Sequence, residues 1–256
     1  MSNTAELATQ LRALKLSGML DTLEMRLLEA EQGQLSLTEL LTMLVSDELE
    51  ARRNRKLARL IKHAGLDAGQ TLESFNFDIA VSANRPLIRD LATCRFIQRS
   101  ENVFFLGPTG TGKTHLAQAL SHAACRRYLS VEFHTFGKLF GSLAKADITH
   151  SSDRLLRALC RSDLLVLDEF AWKRLDQQTA EWLYTIVDTR YSTGSIILTS
   201  NRSFDDWLAI FPDKVMANAV MDRLAHNAHQ VVLKGDSYRK RKGLKSEPHK
   251  EKTMPE

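Results

Sequence analysis

The chain has 256 residues, of which 43% are apolar and 26% are charged, and its formal net charge is +4. These values are ordinary for a soluble globular protein, and the length suffices to bury one substantial core beside a smaller appendage. We expect neither a membrane-spanning helix nor a signal peptide. No apolar run reaches the roughly 18 residues of a span, and residues 1–10 lack the basic-then-apolar order of a leader.

Residues 1–69 are predicted to form a separate, all-helical domain. Apolar side chains recur at helical intervals in its first part; they are Leu7, Leu11, Leu14, Leu16, Met19, Leu20 and Leu23. Residues 35–38 then indicate a turn and an N-cap, and a long helix is predicted from Glu39.

The second half of that long helix carries a stripe of positive charge. Steps of three or four residues place the cations on one face, opposite a set of apolar side chains. The stripe is either a solvated surface or a contact for a phosphate backbone. A helical domain joined to a nucleotide-binding motif favours the second interpretation. The predicted DNA-contacting residues in this helix are Arg52, Arg55, Lys56 and Arg59.

Residues 70–100 are predicted to be a linker and the first helix of the next domain. The segment Glu73–Phe77 contains two phenylalanines. It either clasps the base side of a bound nucleotide or packs in the core, and the sequence favours neither alternative. Residues 86–96 predict a helix that lies on the following domain.

The most specific motif is Gly-Pro-Thr-Gly-Thr-Gly-Lys-Thr at residues 107–114, which fits the P-loop pattern. A predicted strand at 102–106 leads into it and a predicted helix at 113–128 follows, so bound phosphates would meet a helix N-terminus. Lys113 is expected to reach the β- and γ-phosphates, and Thr114 is expected to bind Mg²⁺. The predicted nucleotide-binding residues of this stretch are Gly107, Pro108, Thr109, Gly110, Thr111, Gly112, Lys113, Thr114 and His115.

A second element supports a nucleotide site. Residues 164–168 are apolar up to a terminal acid, which is typical of a strand buried on both faces of a parallel sheet. Asp168 would emerge at the edge of the sheet where ligands bind, and we expect it to hold Mg²⁺ and contact the nucleotide. Glu169 is expected to orient or deprotonate the attacking water.

Further strands are predicted at 130–133, 195–199 and 230–233. Their alternation with helices indicates a parallel α/β sheet flanked by helices, over residues 101–236. Asn201 follows one of these strands and is expected to sense the γ-phosphate or to hold the attacking water. Arg223 lies on an otherwise apolar helix. Either Asp222 or another neighbour satisfies it, or it projects into the nucleotide site of an adjoining subunit.

Residues 237–256 predict a basic, disordered tail, and Arg239 within it is a further candidate phosphate contact. The three cysteines (Cys94, Cys125 and Cys160) are far apart, which predicts reduced thiols in a cytoplasmic protein. The eight histidines show no metal-ligand spacing, so Mg²⁺ is the one metal that we expect.

These motifs, taken in order, resemble those of the IstB-like ATP-binding proteins. That family consists of helper ATPases of insertion-sequence transposition, and it groups with the DnaC-like helicase loaders in the AAA+ class. The resemblance covers nearly the whole chain and is narrower than the P-loop alone, which many ATPases share. The stretches that carry it are 14–19, 52–62, 73–77, 107–114, 164–169, 190–191, 199–201, 207–211, 222–224 and 235–239.

The resemblance implies a fold and a role for each matching residue. The fold is an α/β AAA+ P-loop sheet with a small N-terminal all-helical domain and no full lid domain. Lys113 and Thr114 match the Walker A pair, Asp168 and Glu169 the Walker B pair, and Asn201 sensor 1. Arg223 matches an arginine finger that acts in trans, and Arg239 matches a sensor 2 arginine.

The stretch 137–161 matches the helical insertion of the initiator-type clade, which lines a DNA path in relatives. Its basic members, and so its predicted DNA contacts, are Lys138, Lys145, Arg154 and Arg157. The sequence departs from the family pattern after the Walker B acids, where Phe170-Ala171-Trp172 is atypical. The sequence does not indicate what this loop contacts.

The resemblance implies an ATP- and Mg²⁺-dependent ATPase that binds ATP between subunits of a homo-oligomer. It would assemble on double-stranded DNA and recruit or stimulate a cognate transposase. A DnaC-like loader of a replicative helicase is the alternative with the same ATPase core. A P-loop kinase of a small metabolite would need a substrate pocket and a mobile lid, for which no segment is suited. A GTPase is disfavoured because no N-K-x-D segment is present.

Overall fold

A computed structural model of the protein describes residues 2–77 and 84–235. The chain separates into two compact units, with the division after Leu60. The predicted tail at 237–256, and Arg239 with it, lies outside the described residues. The domain boundary predicted at residue 69 stays a prediction.

The first unit consists of helices with a small apolar core. They are α1 (Ser2–Ala13), α2 (Ser17–Gly33) and most of α3 (Leu37–His63). Leu11, Leu23 and Leu44 form the buried centre of this core. Among the described residues, no helix is long and apolar enough to cross a membrane.

Helix α3 begins at Leu37, two residues before the predicted start at Glu39, because Ser36 caps it. The Ser36 hydroxyl accepts the N–H of Glu39 at 3.3 Å, and the N–H of Ser36 donates to Glu39 Oε2 at 2.8 Å. This reciprocal pair is a capping box, which satisfies two backbone donors at the helix start.

Glu48 on α3 holds the N-terminus of α2. Its carboxylate accepts the N–H of Gly18 at 2.6 Å and of Met19 at 3.3 Å. It also accepts from Arg52 Nε at 2.6 Å and from Arg55 Nη2 at 3.2 Å. Burial opposes ionisation of this carboxyl, but the hydrogen bonds from Arg52, Gly18 and Met19 outweigh it and lower the Glu48 pKa.

The second unit is built on a five-stranded parallel sheet in the order β2-β3-β4-β1-β5. The strands are β1 (Asn102–Leu106), β2 (Val131–Thr135), β3 (Leu164–Asp168), β4 (Ser195–Ser200) and β5 (Ala228–Val232). Strands β1, β3 and β4 are buried along their whole length, as expected for inner strands covered on both faces. The predicted parallel α/β sheet is therefore confirmed. Strands β1 and β3 have the predicted bounds, and those of β2, β4 and β5 differ from prediction by one or two residues.

Helices cover this sheet and connect its strands. They are α4 (Arg85–Leu91), α5 (Arg95–Gln98), α6 (Lys113–Arg126), α7 (Phe136–Ile148), α8 (Ser152–Arg161), α9 (Gln177–Arg190) and α10 (Lys214–Ala225), with a 3₁₀ helix at Asp205–Ile210. The single helix predicted at 86–96 is wrong. It is two helices, because Cys94 adopts a left-handed φ of 58° between them. The helix after the P-loop ends at Arg126 rather than at 128.

Candidate functional site

All five strands end at one edge of the sheet, here called the carboxyl edge, and begin at the opposite amino edge. Strand β1 runs into the P-loop at the carboxyl edge, where ligands bind in sheets of this type. Gly107 has a φ of 140°, and a Cβ added to it would lie 2.0 Å from Leu233 O. This position therefore accepts only glycine, because a side chain would collide with backbone.

The P-loop curves around its own lysine. Lys113 is buried, and its Nζ donates to Gly107 O and to Pro108 O, each at 2.7 Å. Helix α6 begins at Lys113, so its first backbone N–H groups face the same loop. An ammonium group together with a helix N-terminus forms a site for anions such as the phosphates of a nucleotide.

The hydroxyl of Thr114 and the carboxylate of Asp168 lie side by side. Thr114 Oγ1 is 2.9 Å from Asp168 Oδ1 and 3.2 Å from Oδ2. Asp168 is buried at the end of β3, and Thr114 is in the first turn of α6. Oxygen donors of this kind suit Mg²⁺, which a protein usually holds through one or two side chains together with substrate phosphates. The described residues contain no group of three or more His, Cys, Asp and Glu side chains placed to bind a metal.

Thr199 joins Asp168 to Glu169. Its hydroxyl donates a short hydrogen bond to Asp168 Oδ1 and accepts the N–H of Glu169 at 3.1 Å. The Glu169 side chain is exposed, and its backbone takes a left-handed φ of 61°. Asn201, just beyond β4, is also exposed at this edge. The arrangement leaves the Glu169 carboxylate open to solvent while its backbone is fixed.

The segment Glu73–Phe77 lies against the P-loop. The Phe75 ring packs on Gly112, where an added Cβ would be 2.8 Å from Phe75 Cε2, and its centroid is 5.2 Å from that of His115. His115 Nε2 lies 2.9 Å from Thr71 O. The sequence left open whether this segment packs in the core or faces the nucleotide. Phe75 is buried, and the surface on which it packs is the P-loop itself.

Arg223 lies at the amino edge, away from the P-loop of its own chain. Helix α10 ends two residues after it, and β5 then starts at Ala228, whose register partner is Asn102, the first residue of β1. The P-loop begins at the other end of β1, and five strand residues span roughly 16 Å. Asp188 Oδ1 binds Arg223 Nε at 2.9 Å, and the guanidinium lies over the Tyr184 ring. The sequence named Asp222 or another neighbour as the partner within the chain, and that partner is Asp188.

The predicted DNA-contacting residues fall into two groups that differ in their contacts. Lys138 and Lys145 on α7, with Arg154 and Arg157 on α8, are all exposed. On α3, by contrast, Arg52 and Arg55 already bind Glu48, and Arg55 Nη1 donates to Ser17 Oγ at 2.6 Å. Part of the cationic stripe on α3 therefore stabilises the first unit.

Arg190 is a buried residue whose role the sequence did not reveal. Its guanidinium donates to the carbonyls of Leu159, Ser162 and Ser195 at 2.7 to 2.9 Å. Burial lowers the Arg190 pKa to about 10, so it stays charged at neutral pH. It ties the end of α8 and the starts of β3 and β4 to α9. No local pattern singles it out, because α9 also carries exposed charged residues such as Glu181 and Asp188.

Comparison with known proteins places this geometry in a family. The family model described as IstB-like ATP binding protein matches residues 9–246. An ATP-binding protein of an insertion sequence from Mycobacterium tuberculosis is 39% identical over 92% of this chain and 94% of its own length. An ATP-binding protein of insertion sequence IS21 from Pseudomonas aeruginosa is 37% identical over 91% of this chain and 88% of its own length.

Two solved structures share the fold of the second unit. The DnaC helicase loader superposes with a TM-score of 0.57 at 24% identity, over 65% of this chain and 98% of that one. The replication initiator DnaA bound to AMPPCP and single-stranded DNA superposes with a TM-score of 0.56 at 24% identity, over 73% of this chain and 58% of that one. The chain is thus an ATPase with an AAA+ fold, and it belongs to the family of IstB-like ATP binding proteins.

Proposed function

We propose that this protein is an ATP-dependent DNA-binding ATPase that assembles on target DNA and recruits or stimulates a transposase. The relatives named after insertion sequences support the transposition role. The observation that carries the assembly is the position of Arg223, which lies at the amino edge while the P-loop lies at the carboxyl edge. An arginine so placed can complete a nucleotide site only in another subunit.

In the proposed site each residue has a separate task. Lys113 and the N-terminus of α6 bind the β- and γ-phosphates, and Thr114 with Asp168 holds Mg²⁺, which neutralises charge that develops on the phosphates. Glu169 orients or deprotonates the attacking water, and Asn201 contacts the γ-phosphate or that water. Arg223 of a neighbouring subunit stabilises the transferring phosphoryl group, so hydrolysis depends on assembly. Arg239 remains a candidate sensor outside the described residues.

The proposed DNA contacts are the exposed cations of α7 and α8. Lys138, Lys145, Arg154 and Arg157 would neutralise backbone phosphates with little sequence preference. Double-stranded DNA, a homo-oligomer with ATP at its interfaces, and a cognate transposase are the partners in this proposal.

Electron microscopy and sedimentation with ATP, ADP or no nucleotide, each with and without a DNA duplex, test the proposal. We expect large assemblies only with ATP and the duplex present. A protein that stays monomeric under all of these conditions would contradict it. The variant Arg223→Ala should fail to form these assemblies. Arg99→Ala is its control, because it removes a different arginine near the amino edge of the sheet.

The alternative function is loading of a replicative helicase, which the structural similarity to the DnaC helicase loader favours. Affinity capture with the tagged protein, offered a purified transposase and a purified replicative helicase, distinguishes the two functions. Retention of a transposase but not of a replicative helicase supports transposition, and the reverse result supports loading.

A further inference from the structure

The loop after Glu169 carries an exposed tryptophan that the proposed ATPase chemistry does not use. Trp172 is 54% exposed, whereas the other two tryptophans, Trp182 and Trp207, are 7% and 0% exposed. An indole left in solvent is unusual, because burying it would be favourable. A surface that leaves it exposed is therefore a candidate for a contact with a partner.

The surroundings of Trp172 are cationic rather than apolar. Lys173 Nζ lies 5.3 Å from the Trp172 ring centroid, and Arg174 follows it, also exposed. The indole lies beside the start of α7, since a Cβ on Gly137 would be 3.9 Å from Trp172 Nε1. The next residue of α7, Lys138, is exposed. We call Lys138, Trp172, Lys173 and Arg174 the Trp172 patch.

The patch has one acidic neighbour on α9, Asp176, which offsets part of its positive charge. Asp176 caps α9 by accepting the N–H of Thr179 at 2.8 Å. This hydrogen bond, and to a smaller degree the nearby Lys173, lower the Asp176 pKa. Lys173 thus lies over the indole, Arg174 follows it in the chain, and Lys138 follows the glycine that the indole approaches, so three cations against one carboxylate leave the patch with a net positive charge.

We propose that the Trp172 patch is a second contact for DNA, in which the indole packs on a sugar or base and the three cations bind adjacent phosphates. Aromatic side chains interleaved with lysine and arginine have this chemistry in nucleic-acid sites. A protein partner would favour an apolar surround, which the patch lacks. This inference rests on the proposed DNA binding. It shares Lys138 with the predicted group on α7 and α8, and it adds Trp172, Lys173 and Arg174 to that group.

The position of the patch links DNA to the ATPase site. Trp172 lies three residues after Glu169, and Phe170 between them is held in place. Phe170 N–H donates to Thr199 O at 2.8 Å, Ser200 Oγ donates to Phe170 O at 2.8 Å, and the Phe170 ring is fully buried. Phe170 therefore connects the loop of Trp172 to Thr199, whose hydroxyl contacts both Asp168 and Glu169.

The test uses the full chain with Mg²⁺, a non-hydrolysable ATP analogue and a labelled DNA duplex. Fluorescence anisotropy gives Kd for wild type, Trp172→Ala, Trp172→Phe and Lys173→Ala. Arg99→Ala is the control, because it removes one exposed cation near the start of β1, at the other edge of the sheet. We expect Trp172→Ala to raise Kd about 5- to 150-fold, Trp172→Phe to raise it less, and Arg99→Ala to leave it unchanged.

Intrinsic fluorescence gives a second reading, because Trp172 is the exposed one of three tryptophans. Adding the duplex should change the emission of wild type and leave that of Trp172→Phe unaltered. If wild type binds DNA while Trp172→Ala binds equally well and the emission does not respond, the patch proposal is overturned and DNA binding stands. An emission change on assembly without DNA would assign the patch to a protein contact. If wild type does not bind the duplex at all, the proposed function itself fails.

Discussion

Thr199 connects the two acidic residues of the candidate ATPase site. The sequence had assigned a role in this strand only to Asn201, just beyond its end. A single hydroxyl donates to Asp168 and accepts from the N–H of Glu169, so it sets the two acids relative to each other. Because Thr199 is buried, neither partner can exchange this hydroxyl for bulk water. The hydroxyl therefore matters for the position of Glu169 more than for nucleotide affinity.

We predict that Thr199→Val lowers kcat about 10- to 100-fold and changes the affinity for ATP little. Valine keeps the shape of threonine but leaves the Glu169 N–H without this acceptor, at a cost of about 1–3 kcal/mol. Steady-state ATPase assays and nucleotide titration measure the two quantities. Thr185→Val is the control, since its hydroxyl donates to Glu181 O on an exposed helical face. A Thr199→Val protein with normal turnover would show that Glu169 needs no such support.

Arg223 gives a second prediction at this scale. Arg223→Ala should lower turnover by about 10³ to 10⁵ while each subunit still binds ATP, because an arginine finger acts on the transition state of a neighbour's site. Glu169→Gln should also be inactive, but it keeps its arginine. Mixing the two inactive proteins should restore part of the activity, since a Glu169→Gln subunit can supply Arg223 to an intact site.

The mixing experiment separates a trans role from a structural one. Arg223 is paired with Asp188 in the single chain, so its loss could in principle loosen α9 and α10. The pair is partly exposed to solvent, and surface pairs contribute about 0–1 kcal/mol, which is too little to unfold the domain. Activity that stays absent after mixing, although both variants fold and bind ATP, would exclude a finger acting between subunits.

The sequence predicted the role of a residue where a short motif around that residue indicates it. Lys113 and Thr114 follow from spacing within one loop, and Asp168 from the end of one apolar run; the structure places Thr114 and Asp168 2.9 Å apart. Thr199 and Arg190 act through groups on neighbouring strands and helices. Their roles depend on the order of the strands in the sheet, and the spacing of residues along the chain does not reveal that order.

At the scale of elements, the crossing of α2 and α3 depends on one glycine. A Cβ added to Gly18 would lie 2.6 Å from Ala51 Cβ and 2.7 Å from Glu48 Cα. The close approach brings the Glu48 carboxylate onto the N-terminus of α2. The contact explains why a glycine is needed at residue 18, where α2 crosses α3 closely.

We predict that Gly18→Ala destabilises the first unit by about 1–3 kcal/mol, because the added methyl meets backbone that cannot yield cheaply. Gly33→Ala is the matched control in the same helix, where the new Cβ would meet only the Leu35 side chain at 3.5 Å. It should be neutral or stabilising by up to about 1 kcal/mol. Urea unfolding followed by circular dichroism measures both. Equal effects of the two substitutions would contradict the close crossing.

Element bounds were predicted well where burial alone decides them. Strands β1 and β3 match the predicted ranges, because an uninterrupted apolar run stops where the chain leaves the core. The interruption between α4 and α5 was missed, since a left-handed Cys94 has no compositional signal. The start of α3 was placed two residues late because the capping pair of Ser36 and Glu39 was not recognised.

At the scale of the whole molecule, the net charge of +4 says little about DNA, and the distribution of the cations says more. On α3, Arg52 and Arg55 are partly used in binding Glu48. On α7 and α8 the four predicted contacts are exposed. We therefore expect the α7 and α8 cations to supply more of the phosphate binding, although the sequence gave both groups the same prediction.

Salt dependence measures that difference directly. Each phosphate neutralised on a duplex releases counterions, so log K falls with log salt concentration with a slope of about −0.9 for each contact. Replacing Lys138, Lys145, Arg154 and Arg157 by alanine should flatten the slope by up to about 3.6, if all four bind phosphates. Replacing Lys56 and Arg59, the other two candidates on α3, should flatten it by less than 2 (about 0.9 for each). Anisotropy titrations over a range of salt concentrations give both slopes. A wild-type affinity that does not respond to salt would contradict backbone binding, and a larger change in the α3 variant would move the main DNA contact to the first unit.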